Sequence, residues 1–373
     1  MFRQVECMSR DATGLVTLRR ALQRPQEMAG FSGQQWDHVI RLARAGDLSA
    51  RLGFLAQRDG VWDQIPEAPR KYLESALRVA DRQQRELGYE IQEIELALRS
   101  LNIPVVLLKG AAYVAADLDA AKGRVVSDVD VLVPKAALPE VEAALMLGGW
   151  ASSARSDYDE RYYRTWMHEL PPMQHIQRGT VLDVHHAIMP VSARIHPSSA
   201  LLLSEARPLQ VGSCLHVLAP IDMVLHSATH LMHEGSFEQG MRGLVDLDAL
   251  LREHGLAPDF WPQLVARASA LQLIRPLFYA LRHVGMMLGT VVPQDVMAEL
   301  DQAPGARPGA WRLKWMDAMF TRVLCPPHPL VADRWTPLAR GFLYLRGHWL
   351  RMPPGLLTLH LLRKLWQSPS QGA

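Results

Sequence analysis

The stretch Ser127-Asp128-Val129-Asp130-Val131-Leu132-Val133 limits what this chain can fold into more than any other. Its β-branched and apolar residues, extended upstream by Val125 and Val126, predict a buried strand over residues 125–133. Side chains alternate across a strand, so Asp128 and Asp130 share one face. Two carboxylates a few ångströms apart on an apolar surface repel each other and lose hydration, so the fold must supply a cation, basic partners or a proton. A hard divalent ion, Mg²⁺ or Mn²⁺, meets that demand through oxygen ligands, commonly one or two carboxylates together with substrate phosphates. The competing reading, a loop with both acids solvated, sits poorly with the apolar residues on either side.

A third acid recurs in the same setting, Val181-Leu182-Asp183-Val184-His185. If this strand pairs beside the first, Asp183 faces the same site, and three acids can hold two ions ~3.5 to 4 Å apart. Otherwise Asp183 is an acid on an edge strand. His185 lies on the face of Asp183 and can contact substrate. Upstream, Val105 to Leu108 predicts a short buried strand that ends at Lys109-Gly110. A glycine that lets backbone approach closely, the N–H groups opening a helix and a lysine cation are phosphate-binding elements. Arg124 adds a forked guanidinium suited to phosphate oxygens. By itself, Lys109 would be a solvated lysine.

Along the chain the apolar period changes twice. Residues 1–100 read as helices, with Trp36, Val39, Ile40 and Ala43 on one face and a long helix from Lys71 ending near Asn102. Residues 101–190 alternate helical and strand patterns, including strand-like pieces near Trp150, over 168–174 and over 180–185, and predict a small mixed sheet. Residues 191–373 return to helices, with candidates at 220–233, 240–254, 261–270 and 273–288. The fold class is α+β: a mixed-sheet core flanked by helical regions. Helices on both sides in sequence also predict that the C-terminal ones wall the cleft, since ~90 residues of α/β core enclose little.

The 40 Lys and Arg against 38 Asp and Glu leave a net charge of +2, which predicts no dedicated nucleic-acid surface. Three scattered cysteines, Cys7, Cys214 and Cys325, support neither a disulfide framework nor a zinc knuckle and fit a reducing compartment. Glu6 and Asp11 interrupt any signal-peptide core, and no apolar run reaches the ~18 to 20 residues of a transmembrane segment. These features predict a soluble, cytoplasmic protein.

The string LLKGAAYVAADLDAAKGRVVSDVDVLVPKAALPEVEAALMLGGW, followed by LDVHHAI and by APIDMVLHSATHLMHEG and MRGLVDLDALL, resembles the uncharacterised nucleotidyltransferase family of the DNA polymerase β-like superfamily. The resemblance implies that Asp128, Asp130 and Asp183 are catalytic metal ligands, and that Lys109, Gly110, Arg124 and Ser127 meet the nucleotide. It implies transfer of an NMP group from an NTP, taken as ATP, to an acceptor hydroxyl on a protein, a small molecule or a saccharide. One departure is that Ala111 stands where the superfamily often has Ser or Gly, which removes a hydroxyl contact to phosphate. A non-catalytic nucleotide-binding or adaptor module is therefore the alternative, and a metal hydrolase with water as acceptor a third reading.

Within the helical part, Asp222, His226, His230 and Glu234 stand four apart, but HSATH lacks the glutamate of a HExxH zinc motif. His230, Arg242 and Asp246 resemble positions where the helical part closes on the site, and His230 and Arg242 are candidate substrate contacts. Arg242 and Asp246 also have the i, i+4 spacing of a local ion pair. From Thr336 onward there is no acid, while Arg340, Arg346, Arg351, Arg363 and Lys364 lie among apolar residues. Packed helices with extended arginines are the plain reading of that tail, and an anionic surface partner its rival.

Overall fold

The computed structural model describes residues 12–153, 157–233, 235–353 and 355. Four helices come first: α1 (Ala12–Gln23), α2 (Gly33–Ala45), α3 (Ser49–Arg58) and α4 (Glu67–Leu98). Ser32 starts α2 with a capping box, accepting from the Gln35 backbone N–H while the Gln35 side chain accepts from Ser32 N–H. On α4 the residues Leu73, Ala80, Leu87, Ile91, Ile94 and Leu98 are buried along one face. Asn102 follows at φ 51°, a left-handed turn that stops the helical run before Pro104.

The α/β part then runs β1 (Val105–Leu107), α5 (Lys109–Ala115), β2 (Asp128–Leu132), α6 (Leu138–Leu147), β3 (Trp150–Ser152), α7 (Asp157–Trp166), β4 (Met173–His175), β5 (Val181–His185), α8 (Ser199–Ser204), β6 (Arg207–Pro208) and β7 (Leu215–Val217). The seven strands form one mixed sheet in the order β3-β4-β5-β2-β1-β7-β6. β2 lies at its centre, parallel to β5 and antiparallel to β1. The fold class is thus α+β, a mixed-sheet core between helical regions. Among the described residues seven more helices follow: α9 (Pro220–His233), α10 (Gly240–His254), α11 (Phe260–Ala270), α12 (Ile274–Leu288), α13 (Gln294–Gln302), α14 (Ala310–Val323) and α15 (Thr336–Arg351).

Some local expectations change. β2 begins at Asp128 rather than Val125, because its partner β5 begins at Val181 and offers nothing for residues 125–127 to pair with. The strand expected over 168–174 forms only at Met173–His175, while Glu169 makes an isolated antiparallel bridge to His185. α7 lies where no helix was expected. In the basic tail, α15 packs through Ala339 and Leu343, and the Arg346 guanidinium lies over the Tyr279 and Phe320 rings and donates to the Met232 carbonyl at 2.9 Å. That matches the plain reading over 336–351, while Arg363 and Lys364 lie outside the described residues. Among the described residues, no helix is long and apolar enough to cross a membrane, and Cys214 and Cys325 are free thiols.

Candidate active site

Val129 and Val131 point into the core at 2 % and 0 % exposure, which turns Asp128 and Asp130 to the opposite face of β2. In the parallel β2–β5 ladder Asp130 is the register partner of Asp183, and Leu132 that of His185. Register partners on neighbouring strands project to the same side ~4.8 Å apart, so three carboxylates and an imidazole share one face at the sheet centre. Asp128 is exposed at the strand mouth, where it accepts from Ser127 Oγ at 3.2 Å, and Asp130 is buried deeper.

Asp130 holds two partners at once. Lys109 Nζ donates to its Oδ1 at 2.8 Å, and His185 Nε2 lies 2.9 Å from the same oxygen. Burial alone would raise the Asp130 carboxyl, but the charge of Lys109 and the hydrogen bond from His185 overcome it and hold the group far below the usual carboxylate range. His185 responds in the opposite sense: burial opposes its charge, yet Asp130 raises its pKa. At Asp183 the balance falls the other way, the His185 charge being too little to offset the rest. Burial, the Asp130 charge and the Glu169 charge together push it up to about 7, and its buried Oδ1 makes no hydrogen bond.

Lys109 reaches Asp130 from an uncommon backbone state. It opens α5 at φ 46°, a left-handed conformation that costs a non-glycine residue of order 1 kcal/mol and that the surroundings must enforce. The helix behind it spans seven residues, so few peptide dipoles align toward an anion there. Gly110 is required by a neighbour: a Cβ on it would sit 2.0 Å from Arg124 Nη1. Arg124 is partly buried, donates from Nε to Asp246 Oδ2 at 2.9 Å and lies 5.7 Å from the Tyr113 ring centroid.

The N-terminal helices fix Arg124 in place. Arg51 of α3 donates to the Asp119 carbonyl at 2.6 Å, and Gln84 of α4 donates to the Ala121 and Arg124 carbonyls at 2.7 and 2.9 Å. At Gly123, φ is 68° and a Cβ would meet the Ala50 carbonyl oxygen at 2.5 Å, so the loop lies directly on α3. Neither Arg51 nor Gln84 carries a motif. Gln84 acts through backbone carbonyls, and Arg51 through the Asp119 carbonyl and carboxylate, contacts distant in sequence that no pattern reveals.

Two cavities open on either side of the Lys109–Asp130 pair. The first, about 320 Å³, is lined by Lys109, Gly110, Arg124, Ser127, Asp128 and Asp130 on the sheet side, and by His230, Arg242 and Asp246 from α9 and α10. The second, about 180 Å³, is lined by Asp130, Glu169, Asp183, His185, His226 and His230, among others. His230 belongs to both walls, so the C-terminal helices do close on the acid cluster.

Over residues 32–289 the sequence matches the family described as uncharacterised nucleotidyltransferase. The chain belongs to this nucleotidyltransferase family. No curated protein and no solved structure matches it. Family membership implies a nucleotide substrate, and the match takes in the three acids, the Lys109-Gly110 turn and both cavity walls up to α12.

In this member of the family, several side chains stand otherwise than expected. The local Arg242–Asp246 pair does not form; Asp246 bonds to Arg124 across the interface, while Arg242 donates to Gln239 and lies 3.6 Å from Asp47. The Arg124 and Asp246 side chains are 11 % and 10 % exposed, so their charge-assisted bond is little screened by water. Asp222 leaves the presumed histidine row altogether, bound by Arg267 through both carboxylate oxygens at 2.8 and 2.7 Å. Glu234 lies outside the described residues. His185, expected at substrate, contacts Asp130 and Glu169. His168 and Glu169 were missed: each sits in a loop, and only the bridge to β5 brings them to the acids.

A variant follows from the Gly110 contact. Gly110→Ala should displace the Arg124 guanidinium and loosen its pair with Asp246, lowering stability by about 1 to 3 kcal/mol and weakening nucleotide binding. Parallel unfolding and nucleotide-binding titrations check both effects.

Proposed function

We propose that the chain is a metal-dependent nucleotidyltransferase that moves an NMP group from an NTP, ATP being the first to test, to an acceptor hydroxyl, and that it works in the cytoplasm. The observation that carries this reading is the register of Asp130 with Asp183, with Asp128 on the same face at the mouth of the first cavity. The residues suit a divalent ion: three carboxylates are a hard oxygen donor set, and the buried Oδ1 of Asp183 lacks any protein partner. Asp128, Asp130 and Asp183 would hold Mg²⁺ or Mn²⁺, which supplies charge neutralisation at the phosphoryl oxygens and orients the attacking hydroxyl.

The chain's own residues do the rest. Lys109 and His185 keep Asp130 ionised, so a ligand oxygen is ready when substrate arrives. Arg124, fixed through Asp246 and lying over Gly110, presents guanidinium charge along the wall where the triphosphate lies, beside Ser127. Arg242 and His230 face it from the helical side. The second cavity, on the Asp183 side, receives the acceptor, which leaves room for a small molecule, a saccharide or a projecting protein side chain.

Mn²⁺ titration followed by electron paramagnetic resonance tests the metal assignment: wild type with an NTP analogue should bind Mn²⁺, and Asp128→Asn should bind it at least about tenfold more weakly. Equal binding would remove the carboxylates from the metal site. Arg242→Ala should weaken nucleotide binding with little loss of stability, because its contact with Asp47 is a partly exposed pair worth at most ~1 kcal/mol. Unchanged binding would return Arg242 to a scaffold role. The second reading, a nucleotide-binding module without turnover, draws on Lys109 already neutralising Asp130 and on Ala111 in place of a hydroxyl residue.

A further inference from the structure

We infer that His168, Glu169 and His185 form a second cation site, selective for a transition metal of the Zn²⁺ type and distinct from the three-carboxylate set. One ligand atom from each of the three lies within 4.8 Å of the other two. His185 Nδ1 is 3.1 Å from Glu169 Oε2, yet it makes no aligned hydrogen bond. That separation is close to the edge of a tetrahedron whose centre is ~2.0 to 2.1 Å from each ligand, as in zinc sites. His168 Nδ1 is likewise buried without a hydrogen-bond partner, and the two imidazole rings lie 5.1 Å apart.

The three groups are held by backbone, which a metal site needs. Glu169 bridges His185 at the end of β5, Leu170 N–H donates to the Val184 carbonyl, and His186 N–H donates to the His168 carbonyl, both at 2.8 Å. Orientation comes from the acid cluster. Asp130 engages His185 Nε2, so Nδ1 is the nitrogen turned toward Glu169. A carboxylate behind a ligating histidine is the arrangement that fixes ring orientation in zinc proteins.

Two imidazoles and one carboxylate are a softer donor set than three carboxylates, which favours Zn²⁺ over Mg²⁺. Three protein ligands leave a fourth position open. His168, Glu169 and His185 all line the second cavity, about 180 Å³, together with Asp183, His226 and His230. An ion there would offer that position to water or to the acceptor oxygen. The role toward the acceptor rests on the transfer reading; the site itself does not.

Full-length protein stripped with chelator and titrated with Co²⁺ should develop the visible absorption of a four- or five-coordinate ion, and Zn²⁺ should displace it. His168→Ala and the isosteric Glu169→Gln should each weaken Zn²⁺ binding at least about tenfold, with circular dichroism reporting that both remain folded. Asp128→Asn, which disables the carboxylate set, should keep wild-type Zn²⁺ affinity while losing Mn²⁺ binding. Wild-type Zn²⁺ affinity in Glu169→Gln, or a loss in Asp128→Asn equal to that in His168→Ala, would overturn the assignment and leave zinc on the carboxylates. Failure of transfer with Zn²⁺ binding intact would count against the transfer reading alone.

Discussion

Asp130→Asn should abolish nucleotidyl transfer, by at least about 10³-fold, and should also destabilise the fold. Repulsion between two neighbouring acids on one strand predicts the reverse, that neutralising either would relieve strain in the metal-free protein. The structure moves the repulsion elsewhere, because Asp130 Oδ1 already bonds Lys109 and His185 at 2.8 and 2.9 Å. Neutralising it removes the charge that Lys109 Nζ and His185 Nε2 both contact. Removing one member of a buried pair costs ~3 to 5 kcal/mol, and the 26 % exposure of the Lys109 side chain should bring this case nearer ~2 kcal/mol. The carboxyl is held well below its unfolded pKa, so its stabilisation is present above ~pH 4 and disappears on acidification. Chemical unfolding should therefore show the largest gap between wild type and Asp130→Asn at neutral pH, closing below ~pH 4.

Asp183→Asn should lose transfer as fully and shift stability in the opposite direction. The Asp183 carboxyl titrates at about 7 in the fold because burial and the charges of Asp130 and Glu169 oppose its ionisation. Between ~pH 4 and that value the unfolded chain releases the proton and the folded one keeps it, so the group destabilises the fold progressively as pH rises. Wild type and Asp183→Asn should unfold alike near pH 4, and the variant should be more stable by about 1 to 3 kcal/mol at pH 8 without metal. A saturating divalent ion should erase or reverse that advantage, since it binds the folded wild type and stabilises it by mass action. An Asp183→Asn variant less stable than wild type at every pH would show that a partner other than metal satisfies this carboxylate.

Much of this site was legible because strands make geometry out of alternation. Asp128-Val129-Asp130 and Leu182-Asp183-Val184 place each acid opposite an apolar neighbour, so their faces could be read before their pairing was known. The parallel β2–β5 register then joined them. The helical regions were legible for the same reason at a period of 3.6, as on α4 and α9. What stayed hidden depends on contacts distant in sequence: Asp246 choosing Arg124 over Arg242, Arg267 withdrawing Asp222, and Glu90 of α4 pairing with Arg178 at 2.8 and 2.9 Å. The strand-like pattern from His168 onward forms a ladder only at Met173–His175, so His168 and Glu169 enter the site only through the Glu169 bridge to β5.

The central claim, that these carboxylates serve nucleotidyl transfer, is tested most directly by following the label of an NTP carrying ³²P at either the α or the γ position. Wild type with Mg²⁺ or Mn²⁺ and cell extract as acceptor source should retain the α label on an acceptor and release the γ label as pyrophosphate, with both lost in Asp128→Asn. Label recovered only as free nucleotide would assign hydrolysis. Intact NTP in every condition, despite measurable nucleotide binding, would contradict the account and leave a binding module.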